Sequence, residues 1–211
     1  MSSASALWEE VLTQLPLIAI LRGIQPEEAL SVAEALHSCG YKCLEIPLNS
    51  PHAFKTIEII AREFGTRMLV GAGTVLNAQA ATDTLSAGGQ IVVSPNLDEE
   101  VAQACRHHEC IYCPGVATPS EAFYALKLGA SALKLFPAEL ITPTVVKAMR
   151  AVLPSDAIVL PVGGISPGNM HDYLSVGSNG FGLGSGLYKP GKSIEDIKKD
   201  ANGYVAAMQK T

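Results

Sequence analysis

Short apolar runs alternate with helical patterns along the chain. Eight runs have the length and apolar character of buried strands, and each is followed by enough residues for a helix. They are LIAILR from Leu17, KCLEIPL from Lys42, MLVGAG from Met68, IVVSP from Ile91, IYCPG from Ile111, SALKLFP from Ser131, IVLPVGG from Ile158 and GFGLGS from Gly180. This spacing is close to that of a minimal strand–helix unit, and it predicts parallel strands joined by helical crossovers.

Helix-start signals follow several of these runs. Ser50-Pro51, Thr118-Pro119 and Ser166-Pro167 each offer a capping hydroxyl before a proline, which favours helices beginning there. The opening segment is amphipathic, with apolar residues four apart, and it predicts an additional helix over about residues 3–14.

Eight consecutive βα units predict an α/β fold, a (β/α)8 TIM barrel with an extra N-terminal helix. We expect residues 1–211 to form a single domain, because no linker divides them. The alternative is an open doubly wound sheet. However, the GAGT and GLGS turns lack the full dinucleotide-binding fingerprint.

Composition narrows the class of protein. Apolar residues make up 48% and charged residues 17%, which favours a folded globular chain. The net charge of −5 comes without a basic run, so we expect no nucleic acid partner. We expect no membrane association either, since no apolar run is long enough to span a bilayer. Five cysteines, an odd number without a preceding secretory signal, favour a reducing cytoplasm.

Strand alternation turns two charged residues toward the predicted barrel axis. In the sixth run, Lys134 shares a face with Ala132 and Phe136, and desolvation there would make its amine a nucleophile. In the second run, Glu45 points inward by the same rule. Strands two and six are opposite in an eight-stranded barrel, so the two side chains are expected to meet. The alternative is a buried structural ion pair.

Glycines end the last two predicted strands, where this fold often binds phosphate. Gly163, Gly164 and Gly184 would allow a close backbone approach, and Ser185 adds a hydroxyl. The alternative is that these glycines form ordinary tight turns.

Two further strand ends carry polar side chains. Arg22 could hold a carboxylate, or it could form a salt bridge at the rim. Thr74 could donate its hydroxyl to a ligand, or it could cap a helix.

The cysteine-rich stretch from Cys105 to Cys113 lacks a second ligand pair at zinc-finger spacing. It also falls at the end of the fold away from the chemistry, so we expect a structural or incidental role there and no metal site.

These residues lie within a set of motifs that resembles a known family. LRGI, EIPLNSP, GAGTVL, SPN, ALKLFP, VGGISP and GLGSGLY, between about Leu15 and Tyr188, are similar to those of the class I 2-keto-3-deoxy-6-phospho sugar-acid aldolases. That family includes phosphogluconate and phosphogalactonate enzymes.

The resemblance implies roles for individual residues. Lys134 would form an imine with the 2-keto carbon, and Glu45 would shuttle protons. Thr74, the backbone near Pro95, and Phe136 would line the pyruvate end. Gly163, Gly164, Gly184 and Ser185 would hold the phosphate. The resemblance also implies a homotrimer, and we expect no metal or cofactor, because the iminium does the work of a Lewis acid.

Three positions resemble the phosphogalactonate branch more than the phosphogluconate branch. Arg22 would contact the carboxylate, while Asn49 stands where phosphogluconate enzymes carry an arginine. Val162 replaces a threonine near C4, the carbon at which the two sugars differ.

The resemblance therefore implies reversible cleavage of 2-dehydro-3-deoxy-6-phosphogalactonate to pyruvate and glyceraldehyde 3-phosphate. The alternatives are the gluconate epimer, both epimers, or a non-catalytic sugar-phosphate-binding barrel. A thiamine phosphate synthase would need an acidic pair for Mg²⁺, which the sequence does not offer.

Overall fold

The computed structural model describes residues 3–209, so residues 1, 2, 210 and 211 of the predicted domain lie outside the described part. Helices and strands alternate as the apolar runs predict. In chain order they are α1 (Ser3–Gln14), β1 (Leu17–Ile20), α2 (Ala29–Ser38), β2 (Cys43–Pro47), α3 (Ala53–Phe64), β3 (Leu69–Gly73), α4 (Ala78–Ser86), β4 (Ile91–Val93), α5 (Glu99–His107), β5 (Ile111–Cys113), β6 (Gly115–Val116), α6 (Pro119–Lys127), β7 (Leu133–Leu135), α7 (Pro143–Arg150), β8 (Val159–Pro161), α8 (Met170–Leu174), β9 (Phe181–Leu183) and α9 (Ile194–Met208).

The strands are parallel throughout and form a curled sheet of an α/β fold. Six strands pair in the order β5-β4-β3-β2-β1-β9, and three pair in the order β6-β7-β8. The fifth predicted run is divided at Pro114 into β5 and β6, because proline has no N–H to continue the ladder. A bridge between Val162 and Gly182 joins the ends of β8 and β9.

Two apolar clusters lie on the two faces of these strands. The larger one fills the space between the strands and the helices, and it includes Leu133 and Leu135 of β7. The smaller one contains the opposite faces, with Ala132 and Cys43, and α1 closes it with Leu7 and Trp8. The alternation predicted for β7 is therefore confirmed. Helix α1 packs against the inner face of the strands.

Only one of the three predicted proline caps is formed as expected. Thr118 makes a capping box with Glu121 at the start of α6. The predictions at Ser50 and Ser166 are wrong, because α3 begins after His52 and α8 begins after Asn169. Instead, the Ser50 hydroxyl accepts a hydrogen bond from the Gly23 N–H at 2.9 Å, which ties together the loops after β1 and β2.

Within residues 3–209, no helix combines the length and apolarity needed to cross a bilayer.

Candidate active site

A cavity of about 660 Å³ opens at the carboxyl ends of β1, β7, β8 and β9, within the size range of small-molecule sites. Its lining includes most of the residues predicted to bind substrate: Arg22, Phe136, Val162, Gly163, Gly164, Gly184 and Ser185. Because carboxyl ends of parallel strands carry the ligand sites of such folds, this is the candidate active site.

Lys134 and Glu45 line a narrow cavity that continues from the large one into the fold. The two cavities share Ile20, Val162 and Gly182 as walls. Lys134 is 7% exposed and Glu45 is 2% exposed, so both chains are almost fully removed from water. The structure thus brings together the two residues that strand alternation turned inward.

Burial shifts the pKa values of this pair in opposite directions. Desolvation lowers the pKa of Lys134, with Arg22 adding to the effect and Glu45 opposing it. Desolvation raises the pKa of Glu45 to about 7, against the opposing charges of Lys134 and Arg22. A larger fraction of Lys134 is therefore the neutral amine. The Glu45 carboxyl group beside it exchanges its proton near neutral pH.

The Glu45 carboxylate keeps an unused acceptor. Its Oε2 atom is buried with no hydrogen-bond partner, and none of the ion pairs among residues 3–209 joins it to Lys134. A buried carboxylate oxygen without a partner is costly, and such groups are typical of sites that a ligand completes. The sequence also allowed a buried structural ion pair between Lys134 and Glu45. The described part of the structure does not contain that ion pair.

Glycine at position 73 makes room for that carboxylate. A Cβ atom added at Gly73, which pairs with Pro47 of β2, would lie 1.8 Å from Glu45 Oε2. The backbone there does not require glycine for a positive φ. Its role is to leave space for the Glu45 carboxylate.

Arg22 is held at the cavity wall by partners from two neighbouring loops. Its Nη1 donates to Asn49 Oδ1, and its Nη2 donates to the Thr74 hydroxyl at 3.5 Å. Thr74 has a left-handed φ of 57°, which is strained for a β-branched residue. It does not cap a helix, since Asn77 caps α4. The strained residue therefore supports the orientation of Arg22.

Two turns present unpaired N–H groups to the cavity. Within the part of the chain described, the N–H groups of Gly164, Ser185 and Gly186 donate to no protein acceptor. Gly163 and Gly164 have φ values of 111° and 61°, which glycine alone adopts freely. Converging backbone N–H groups are a favourable environment for an anion.

The remaining predicted residues have distinct positions. The Phe136 ring lies 4.7 Å from Lys134 Nζ, a cation–π distance. Val162 borders both cavities and packs against Gly182. Pro95 lines neither cavity; its carbonyl oxygen lies against Gly115, which pairs with Lys134 in the sheet.

Sequence reasoning missed two charged residues of the cavity. Glu139 follows β7, and its carboxylate lies close to Gly163 and Gly164; a Cβ on Gly163 would be 2.3 Å from Glu139 Oε2. Lys189 contributes to the wall beside Ser185. Both lie in loops after strand ends, and a search restricted to the strand ends themselves passes over them.

The cysteine-rich stretch lies apart from this cavity. Within residues 3–209, no three histidine, cysteine or acidic side chains are grouped as metal ligands. The Cys105 and Cys110 thiols contact each other at the opposite end of the fold, and all five cysteines are free.

The sequence profile of the "KDPG and KHG aldolase" family matches residues 8–201, nearly the whole chain and both cavities. The chain belongs to this aldolase family.

Individual aldolases of the family are similar in sequence and in structure. The 2-dehydro-3-deoxy-6-phosphogalactonate aldolase of Escherichia coli (strain K12) is 44% identical over 197 residues, 93% of this chain and 96% of the relative. A solved structure described as native KDPGal superposes with a TM-score of 0.92 at 44% identity, covering 94% and 96% of the two chains.

A third aldolase has its reaction captured in the crystal. The KDPG aldolase of Legionella pneumophila, with pyruvate held as a covalent carbinolamine intermediate, has a TM-score of 0.81 at 29% identity. It covers 100% of this chain and 98% of its own.

Proposed function

We propose that this aldolase cleaves 2-dehydro-3-deoxy-6-phosphogalactonate reversibly into pyruvate and glyceraldehyde 3-phosphate, through an imine on Lys134. The observation that carries the proposal is the buried amine of Lys134 facing the unpartnered Glu45 carboxylate. The similarity to the Escherichia coli phosphogalactonate enzyme supports the substrate.

The chemistry follows from the two shifted pKa values. The neutral Lys134 amine attacks the C2 ketone to form a carbinolamine. Protonated Glu45 then gives its proton to the C2 hydroxyl, which leaves as water and produces an iminium ion. Glu45, now a carboxylate, removes the proton of the C4 hydroxyl as the C3–C4 bond breaks. The bonding electrons move into the iminium, and glyceraldehyde 3-phosphate is released.

The second half returns the enzyme to its starting state. The enamine of pyruvate takes a proton at C3, which Glu45 is placed to supply. Water then adds to the iminium and gives a proton to the Glu45 carboxylate. In the carbinolamine, the C2–N bond breaks as the hydroxyl proton passes to the nitrogen, which frees pyruvate and the neutral Lys134 amine and leaves Glu45 protonated again. The iminium provides the electron sink, so the proposed route uses no metal or cofactor.

The cavity lining supports an orientation for the substrate. Arg22 binds the carboxylate, with Thr74, the Pro95 backbone and Phe136 at the pyruvate end. Gly163, Gly164, Gly184 and Ser185 bind the phosphate, and the unpaired N–H groups of Gly164 and Ser185 support that assignment.

The preference for the galactonate epimer rests on Val162. An apolar wall offers no hydrogen bond to the C4 hydroxyl, whereas a threonine would, and polar partners discriminate strongly between substrates. The alternative is an enzyme for the gluconate epimer, or for both.

A two-epimer assay tests this preference. We expect a higher kcat/KM for the galactonate substrate, and we expect Val162→Thr to shift the ratio toward gluconate by about tenfold or more. Ile165→Val, a milder change in the same wall, serves as the control. A wild-type enzyme that prefers gluconate would overturn the assignment.

Chemical trapping tests the mechanism itself. Borohydride added with pyruvate should reduce the imine, and mass spectrometry should find the adduct on Lys134. Lys134→Met should abolish both the adduct and turnover. Substrate binding without turnover by the wild-type protein would instead favour a non-catalytic sugar-phosphate-binding barrel.

We also propose that residues 1–211 form a single domain in which the curled sheet is a closed (β/α)8 barrel with α1 as an extra helix. The bridge from Val162 to Gly182 supports closure on one side. On the other, β5 runs into β6 through Pro114, whose carbonyl accepts the Lys134 N–H at 3.0 Å.

A homotrimer is proposed from the family resemblance. A cytoplasmic location is proposed because all five cysteines are free thiols.

A further inference from the structure

Behind the turn that follows β9, one half-buried lysine contacts groups from two different elements. Lys192 Nζ donates to the carbonyl oxygens of Gly186 at 3.2 Å and Leu187 at 2.7 Å. It also forms an ion pair with Asp200 of α9, and the Lys192 side chain is only 17% exposed. These contacts connect the turn to a fifteen-residue helix.

The same turn is closed by its own backbone. The N–H groups of Leu187 and Tyr188 both donate to the Gly184 carbonyl, at 2.9 and 3.0 Å. The N–H groups of Ser185 and Gly186 are then left to face the cavity, as described above. Lys192 therefore binds the carbonyl side of a turn whose free N–H groups form part of the proposed phosphate site.

Glycine makes this segment weak without an external support. Gly184 and Gly186 lie within the turn, and Gly191 follows it with a φ of 80°. Glycine loses more backbone freedom on ordering than any other residue, so such a turn holds one geometry only if other contacts fix it. Charge-assisted hydrogen bonds from a largely buried lysine are strong enough to do so.

We propose that Lys192, anchored by Asp200, is a positioning residue that holds the Gly184–Tyr188 turn in its phosphate-binding geometry. Lys192 does not contact the phosphate itself, since its ammonium is committed to two carbonyl oxygens and a carboxylate. The inference rests on the proposed function insofar as it assigns the substrate phosphate to this turn.

The experiment compares binding of the phosphate group with the chemistry at C2. Lys192→Met removes the ammonium and keeps most of the stem, and Asp200→Asn weakens the anchor. Lys192→Arg restores donors to both carbonyl groups and the carboxylate. Lys199→Met removes an exposed charge from α9 and is the matched control. Each variant is assayed with the phosphorylated sugar acid and with the same acid lacking its phosphate.

We expect Lys192→Met to raise KM for the phosphorylated substrate about tenfold, with kcat nearly unchanged. The dissociation constant of inorganic phosphate, measured by calorimetry, should rise by the same factor. The kcat/KM for the unphosphorylated acid should stay at the wild-type value. Asp200→Asn should give a smaller change of the same kind, Lys192→Arg should recover most of the affinity, and Lys199→Met should change nothing.

Equal losses of kcat/KM for both acids in Lys192→Met would overturn the proposal, because they would indicate a general structural role. Unchanged phosphate affinity in that variant would overturn it as well. Wild-type protein that binds phosphate but cleaves neither acid would contradict the proposed function alone, and the phosphate titration would still decide the role of Lys192.

Discussion

Filling the space at position 73 tests whether Glu45 transfers protons in the reaction. In Gly73→Ala the new Cβ would lie 1.8, 2.2 and 2.3 Å from three atoms of the Glu45 carboxyl group. Carbon–oxygen contacts need about 3 Å or more, so the carboxylate has to move by about 1 Å. A displacement of that size at a reacting group costs about 10²-fold in rate. We expect kcat to fall by about that factor, with a loss of about 1–3 kcal/mol in stability from overpacking.

The assay measures pyruvate release by coupling it to lactate dehydrogenase, alongside thermal unfolding of each variant. Gly203→Ala is the control, because an added Cβ there meets only Pro167 Cγ at 3.9 Å and favours the helix. A second comparison uses Glu45→Ala with and without Gly73→Ala. If the two changes act through one carboxylate, the double variant should be no slower than Glu45→Ala. A folded Gly73→Ala enzyme with kcat near wild type would refute the assignment of proton transfer to Glu45.

Three further predictions concern Glu45, Glu139 and Thr74. Because burial raises the pKa of Glu45 to about 7, the folded state holds a proton that the unfolded chain releases, and Glu45 makes stability fall as pH rises through that window. Chemical denaturation of Glu45→Gln should therefore show stability increasing relative to wild type between the ordinary pKa of 4.5 and the folded value of about 7, and levelling off above it; a constant difference would contradict the shift. Glu139→Gln removes a negative charge beside Gly163 and should lower KM for the phosphorylated acid by about two- to fivefold; a higher KM would instead indicate that the carboxylate helps binding. Thr74→Asn, which tolerates a left-handed backbone better, should raise the thermal midpoint while kcat/KM falls, and an unchanged midpoint would argue against strain at this position.

Alternation along single strands predicted the inward direction of the Lys134 and Glu45 side chains. Lys134 and Glu45 point inward because their apolar neighbours occupy the outer cluster, and that preference is local to each strand. The parallel order of the strands could also be predicted, since apolar runs of this length and spacing are compatible with few chain topologies. The eight runs accordingly correspond to observed strands, with the fifth divided at Pro114.

The groups that sequence reasoning missed depend on distant partners. Ser50 looked like a helix cap, but its hydroxyl accepts from Gly23, a partner from another loop. Glu139 enters the cavity because two glycines without side chains leave room beside it. Lys192 contacts Leu187 in the turn before it and Asp200 of α9 after it. The pattern of apolar and polar residues does not predict these contacts. Such pairings are set by tertiary geometry, which local patterns do not encode.

The burial of Lys134 also has a consequence for when the amine becomes reactive. In a chain that is still being synthesised or is unfolded, this lysine has an ordinary pKa of about 10.4 and stays protonated at neutral pH. Its pKa falls only when the packed strands remove the amine from water, because that desolvation outweighs the opposing charge of Glu45. The residues that surround the amine come from both halves of the chain, from Ile18 of β1 to Gly182 of β9. Under the proposed mechanism, an unfolded chain would therefore carry Lys134 as an ordinary ammonium group, and the nucleophile would exist only in the folded sheet.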